Sequence, residues 1–118
     1  MLNAPPRVLV VDDDLETVEA MALVIKSFGH DVQFAVSGRG AIEVARKFRP
    51  SVVILDVHLP DLEGDKVTAE LKRELGRDNV RVIAISGDDE TRKSALDAGC
   101  AEFHEKPVSA HLLQRLLS

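Results

Sequence analysis

Three short stretches of this chain are apolar at every position: Val8-Leu9-Val10-Val11, Val52-Val53-Ile54-Leu55 and Val82-Ile83-Ala84-Ile85. Branched side chains in succession favour extended backbone, and a strand with no polar alternation must be covered on both faces. Between these runs lie longer stretches whose apolar residues recur every three or four positions, the period of an amphipathic helix. Strand and helix therefore alternate along the chain, which builds a parallel sheet covered by helices. The strands are expected at Val8–Asp12, Val32–Val36, Val52–Asp56, Val80–Ser86 and Ala101–Glu105.

The second and fifth strands differ from the other three. Gln33 interleaves with Val32 and Phe34, and Glu102 and His104 flank Phe103, so each of these strands has a polar side that suits a sheet edge. With right-handed crossovers, the strand order becomes 2-1-3-4-5 in a doubly wound five-stranded parallel sheet. Its topological switch lies between strands one and three, where function is expected to sit. In the first helix Val18, Met21, Ala22, Ile25 and Phe28 share one face, and Gly29 supplies the left-handed stop. A second follows the capping residue Ser37 through Ala41, Ala45 and Phe48 until Pro50 ends it. A third carries Val67, Leu71 and Leu75, a fourth spans Asp89–Ala98 before Gly99, and a fifth covers Val108–Leu117. Five strands and five helices in 118 residues leave room for one core, so a single domain over 1–118 is expected.

The charge balance, 15 basic against 20 acidic residues, and the lack of Trp and Tyr leave no basic stripe interleaved with aromatics. Direct nucleic-acid binding is not expected. The single cysteine, Cys100, cannot close an intrachain disulfide or build a zinc cluster, which fits a reducing compartment. No apolar run approaches membrane-spanning length, and the opening Met1-Leu2-Asn3-Ala4-Pro5-Pro6 lacks the charged start and apolar stretch of a secretory leader. A soluble cytoplasmic protein without membrane contact is expected.

The polar residues that interrupt the apolar runs fall at strand carboxyl ends: Asp12, Asp13 and Asp14 after strand one, Asp56 after three, Ser86 after four and Lys106 after five. In an open parallel sheet these ends share one crevice. Each close pair of carboxylates there costs on the order of 4 kcal/mol at an effective dielectric of 20. A hard divalent cation compensates, and a few carboxylates, a backbone carbonyl and waters make a typical octahedral Mg2+ site that a phosphate oxygen can complete. Asp56 then has the means to attack phosphorus, while Lys106 and the Ser86 hydroxyl hold the remaining oxygens.

Taken in order, Val10-Val11-Asp12-Asp13-Asp14, Leu55-Asp56-Val57-His58-Leu59-Pro60, Ile85-Ser86-Gly87 and Lys106-Pro107 resemble the signature of receiver domains, the phosphoacceptor domains of two-component response regulators. The resemblance covers essentially the whole chain and implies the flavodoxin-like fold. It implies that Asp56 is phosphorylated, that Asp13, Asp56 and the backbone carbonyl of His58 bind Mg2+, and that Asp12 helps through water. It further implies that Ser86 and Lys106 grip the phosphoryl group and that Phe103 is the switch aromatic. The donor is then a histidine kinase or a histidine phosphotransfer protein. The output is a changed surface of helix four, strand five and helix five, read by a downstream effector protein or domain. Such a chain catalyses only its own phosphorylation and dephosphorylation. The helical pattern resembles receivers attached to hybrid histidine kinases, and either a freestanding regulator or a piece of a longer protein is expected.

Departures from the family pattern carry their own expectations. Gly87 replaces the usual alanine and loosens the loop, and Ser86 replaces threonine but keeps the hydroxyl. His58 and Asp88 flank the phosphoryl position and tune its lifetime. On phosphorylation the Ser86 hydroxyl is expected to swing toward Asp56, and Phe103 to move inward from a more exposed position.

Plainer roles exist for each residue. Asp13 and Glu16 have the spacing of a capping box and Asp14 can cap the first helix, although three aspartates in a row exceed what capping needs. Asp56 as a cap is disfavoured by Leu59-Pro60 and Gly64, which delay the next helix. Lys106 alone reads as a loop lysine, Ser86 alone as a turn serine, and Phe103 as core filler. His30, His104 and His111 read as surface residues, and Cys100 as buried and unreactive. An aspartyl-phosphate phosphatase of the haloacid-dehalogenase type also uses a strand-end Asp with Mg2+. Such enzymes usually carry a second Asp two residues on, where this chain has His58, and 118 residues leave no cap domain. A pure interaction domain is opposed by the intact set of acids, hydroxyl and lysine.

Overall fold

Five strands, β1 (Arg7–Val11), β2 (Asp31–Ala35), β3 (Val52–Asp56), β4 (Arg81–Ser86) and β5 (Glu102–Glu105), pair in parallel in the order β2-β1-β3-β4-β5. They alternate with α1 (Leu15–Ser27), α2 (Gly38–Phe48), α3 (Gly64–Leu75), α4 (Arg92–Asp97) and α5 (Ala110–Leu117). This computed structural model describes residues 6–118; the Met1 to Pro5 stretch, searched above for a leader, lies outside the described residues. Among the described residues no helix is long and apolar enough to cross a membrane.

The three all-apolar strands occupy the middle of the sheet, and the period of two splits their side chains between two cores. Leu9, Val11, Val53, Leu55, Val82 and Ala84 face α2, α3 and α4, together with Phe103. Val8, Val10, Val52, Ile54, Ile83 and Ile85 face α1 and α5. On α1 the buried positions are Val18, Met21 and Ile25, and Gly29 takes a left-handed φ of 94° just beyond the helix.

Local chemistry explains the helix ends. Ser37 caps α2 as expected, its hydroxyl oxygen accepting from the amide of Gly40. The same terminus has a second cap from outside its own segment: the Asp61 carboxylate accepts from the amides of Gly38 and Arg39 at 2.8 and 2.9 Å. At the far end of α2 the Arg7 guanidinium donates to the carbonyls of Phe48 and Arg49. The capping box expected from Asp13 and Glu16 does not form. Asp14 occupies the cap position, but its carboxylate takes the Thr17 hydroxyl rather than a backbone amide. Helix α4 is shorter than the expected Asp89–Ala98 because Asp88-Asp89-Glu90 is spent in turns, with the Asp88 carboxylate accepting from Glu90 and the Asp89 carbonyl from Arg92. Ser109 caps α5 through Leu112, which moves its start past Val108.

Candidate functional site

Parallel register carries the ends of β1, β3, β4 and β5 to one side of the molecule, where Val11 pairs with Leu55 and Asp56 with Ile85. Oxygens of Asp12, Asp13 and Asp56 all lie within 4.8 Å of one another there. Asp12 is 1% exposed and Asp56 4%, whereas Asp13 is exposed to solvent. Two buried carboxylates this close are tolerable only with a cation, and Lys106 supplies it, Nζ standing 2.9 Å from Asp12 Oδ2 and 3.1 Å from Asp56 Oδ2. Partial burial works against the ammonium, but the hydrogen bonds and opposite charges of Asp12 and Asp56 outweigh it and hold Lys106 above the ordinary lysine range.

The remaining lone pairs are also used. Asp12 Oδ1 accepts from the amide of Asp14, and Asp56 Oδ1 accepts from the amide of His58, both at 3.0 Å. Asp56 is thus aimed by one main-chain donor and one ammonium. Its loop is positioned from behind by Gly64, where a Cβ would sit 2.7 Å from the Cα of Val57. Only glycine lets α3 begin this close to the end of β3.

Ser86 ends β4, one residue beyond the partner of Asp56, and is fully buried; its hydroxyl accepts from the amide of Asp88 at 3.3 Å. The Ser86 carbonyl accepts from the amide of Lys106 at 2.7 Å, tying the loop that carries the lysine to the strand that carries the hydroxyl. The Lys106-Pro107 bond is cis. Lys106 is therefore no free loop lysine. The imidazole of His58 lies 4.0 Å from the Asp88 carboxylate across the mouth of the site, both side chains about half exposed.

Phe103 is core filler, as its plainer reading has it, and does not stand in the more exposed position from which an inward move was expected. Its ring is 5% exposed, packed in the core on the α2, α3 and α4 side, with the Arg92 guanidinium 4.8 Å from the ring centroid. Inward is the position the structure holds, because β5 turns Phe103 toward the apolar layer while Glu102 and His104 face the other way. Burial of a phenyl ring contributes about 1.5–3 kcal/mol. Gly87 also departs from a simple account: it has no positive φ, and a Cβ there would meet nothing within 4 Å, so neither backbone strain nor crowding demands glycine.

Two further groups escaped the sequence reading. Asp61 holds the start of α2 from the β3–α3 loop, and its carboxyl lies below the usual range because the amides of Arg39 and Gly38 donate to it. On β5, Glu102 accepts from His104 and Arg81, which lower its pKa, so His104 belongs to a surface hydrogen-bonded chain. Cys100 is buried as expected, 3.4 Å from the Thr68 hydroxyl, and burial pushes its thiol up.

Residues 8–118 match the family described as the response regulator receiver domain. The chain is 34% identical over 116 residues to the response regulator MprA of Mycolicibacterium vanbaalenii, aligning 97% of this chain with 48% of that protein. It is 36% identical over 107 residues to the probable transcriptional regulatory protein TcrX of Mycobacterium tuberculosis, 89% of this chain and 45% of that protein. The chain spans about half the length of these curated relatives. Among solved structures, the receiver domain of sensor histidine kinase PA1611 from Pseudomonas aeruginosa, which has a magnesium ion in its active-site cleft, aligns with a TM-score of 0.85. It is 27% identical over 97% of this chain and 95% of that one. The CheY4 chemotaxis protein of Vibrio cholerae shares the fold at a TM-score of 0.89 and 23% identity, with 97% of each chain covered. The matched family, the strand order and the paired aspartates beside a lysine agree, and this chain belongs to the receiver-domain family of two-component response regulators.

Proposed function

We propose that the chain works as one phosphoacceptor unit that takes a phosphoryl group onto Asp56 from a phosphohistidine on a cytoplasmic kinase or phosphotransfer protein. The observation that carries this reading is the geometry at Asp56: a carboxylate at a strand end, held by the His58 amide and the Lys106 ammonium, with two more carboxylates within 4.8 Å. A carboxylate is a nucleophile only if its charge and that of the incoming phosphoryl group are both screened. Lys106 provides one positive charge for Asp12 and Asp56, which leaves the trio in excess of negative charge.

That excess is the test of fit for a metal. Three carboxylates from two adjacent strand ends, one of them exposed, suit a hard divalent ion that keeps several waters. Asp13 and Asp56 would hold Mg2+ with the main-chain carbonyl of His58, and Asp12 through water; the magnesium in the PA1611 receiver supports this assignment. When bound, the ion neutralises charge on the phosphoryl oxygens and on the acceptor.

The protein's own groups do the rest. An Asp56 oxygen forms a bond to phosphorus while the bond from phosphorus to the histidine nitrogen breaks, the electron pair staying on the imidazole. Lys106 moves its hydrogen bonds from the Asp56 carboxylate to a phosphoryl oxygen, and Ser86 donates its hydroxyl to another. His58 and Asp88, facing each other over the mouth, govern the approach of water and with it the lifetime of the acyl phosphate. Phosphorylation then alters the surface of α4, β5 and α5 for an effector protein or domain, through Ser86 and Phe103. The relatives include both a sensor-kinase receiver and transcriptional regulators, so either attachment suits the same chemistry.

Intact-mass spectrometry after incubation with a small acyl phosphate and Mg2+ tests the proposal. One phosphoryl adduct per chain is expected, lost with EDTA and absent in Asp56→Asn. Stoichiometric labelling of Asp56→Asn refutes the assignment.

A further inference from the structure

Among the described residues, nothing covers the flank of α1 that lies beside the edge strand β2. Leu23 is 70% exposed and Phe34 41%, and with Ala22 and Val32 they line a shallow groove of about 300 Å³ bounded by Glu19 and Lys26. The exposed leucine and phenyl ring share one groove and are not scattered singly over the surface. The groove lies on the opposite flank of α1 from Thr17 and Ala20, which border Lys106 and Pro107.

We propose that this face docks a second copy of the chain, with α1 packed antiparallel against α1 of the partner about a two-fold axis. Charge complementarity selects that occupant. Positions 19, 22, 23 and 26 form one helical stripe, spaced i, i+3, i+4 and i+7, so Glu19 and Lys26 stand two turns, about 10 Å, apart at its two ends. An antiparallel copy centred between Ala22 and Leu23 sets each Glu19 against the partner's Lys26. The same register sets each Leu23 over the partner's Ala22, where the small side chain lets the axes approach. The surface is complementary to itself, as a two-fold interface requires, whereas a parallel copy would set like charge against like. Neither Glu19 nor Lys26 forms an ion pair among the described residues, so both are available. Val32 and Phe34 of the edge strand widen the apolar strip beside each helix. One helical stripe and two side chains of an edge strand make a small face, so the dimer is transient, with a dissociation constant on the order of 100 μM. The proposal uses no residue of the phosphoryl site and stands without that assignment.

Sedimentation equilibrium of the whole chain between about 10 μM and 1 mM tests it. Wild type is expected to shift from monomer to dimer across this range, and Leu23→Glu to stay monomeric. Glu19→Lys and Lys26→Glu each turn both symmetry-related attractions into repulsions, and each is expected to weaken self-association roughly tenfold or more. Mixed together, these two proteins present two positive charges opposite two negative ones, and they should associate with each other. The double variant should dimerise as wild type does. A wild type that remains monomeric overturns the proposal and leaves the face to another protein. Single variants that dimerise like wild type overturn it too, as does a mixture no better than its components or a double variant that fails to recover.

Discussion

Replacing Lys106 with methionine removes one charge from the centre of the site while keeping most of the side chain's volume. Nζ is 2.9 Å from Asp12 and 3.1 Å from Asp56. At an effective dielectric of 20, each contact represents about 5–6 kcal/mol of gross attraction. Most of that attraction offsets the cost of burying two carboxylates that are 1% and 4% exposed. Without the lysine the cost stands uncompensated, and breaking a fully buried pair in this way costs about 3–5 kcal/mol. The Lys106 side chain is 35% exposed, so solvent screens part of the interaction, and we expect a loss of about 2–3 kcal/mol in the metal-free protein. Urea unfolding at pH 7 with EDTA measures it. The folded pKa of Lys106 is raised, so its contribution is fully present below the unfolded lysine value near pH 10.4 and is lost only as pH rises through the higher folded value. The difference between wild type and variant should therefore be flat from neutral pH to about pH 10 and shrink above it. Added Mg2+ should recover more stability in Lys106→Met than in wild type, since the ion supplies the charge that the variant lacks. A loss under about 0.5 kcal/mol, or equal Mg2+ stabilisation of both proteins, would refute the charge balance argued for this site.

Gly64→Ala should destabilise the fold by about 1–3 kcal/mol, because its Cβ would sit 2.7 Å from main chain at Val57, whereas Gly87→Ala, with open space, should be near neutral in the same unfolding assay. Asp61→Ala should lower the unfolding midpoint and speed amide exchange at Gly38 and Arg39. The folded pKa of Asp61 is depressed, so this protection is present above the unfolded carboxylate value and disappears as pH falls through the folded one. Ser86→Ala should still be labelled by a small acyl phosphate, more slowly. Its NMR shifts on α4, β5 and α5 should then respond less to beryllofluoride than those of wild type; responses of equal size would show that Ser86 does not couple the site to that surface.

Burial on both faces is written into consecutive residues, which is why β1, β3 and β4 and their central place are legible in the amino-acid order. The site is legible for a related reason. Aspartates that end apolar strands have no packing role to explain them, and parallel topology leaves them nowhere to go but together. What escapes is whatever depends on partners far apart in sequence. Asp61 reads as an ordinary loop acid after Pro60, yet it holds amides 22 and 23 residues away, and no local pattern marks that pairing. Arg92 falls inside the fourth helix expected at Asp89–Ala98 with no local mark of its partner, and only the fold puts it over Phe103. The capping-box spacing of Asp13 and Glu16 misleads for the opposite reason: a valid local motif yields when Asp13 is drawn into the carboxylate group.

The inward position of Phe103 bears on how such a site can reach its surface. If the ring were poised outside, phosphorylation would have to move a large side chain into the core. The structure instead has the ring packed, with Arg92 of α4 against it. A smaller displacement then suffices, because the backbone already joins the parts. The Ser86 hydroxyl holds the amide of Asp88, at the start of the turns that lead into α4, and the Ser86 carbonyl holds the amide of Lys106, just past β5. A hydroxyl that turns to one phosphoryl oxygen would release the first of these bonds, while a lysine that follows another would pull on the second. A charge-assisted hydrogen bond is worth roughly 1.5–3 kcal/mol, enough to shift a nearly balanced pair of loop positions about tenfold or more. α4 is only six residues long and loses one backbone tether in that exchange, so it is the element expected to move, carrying Arg92 across the ring.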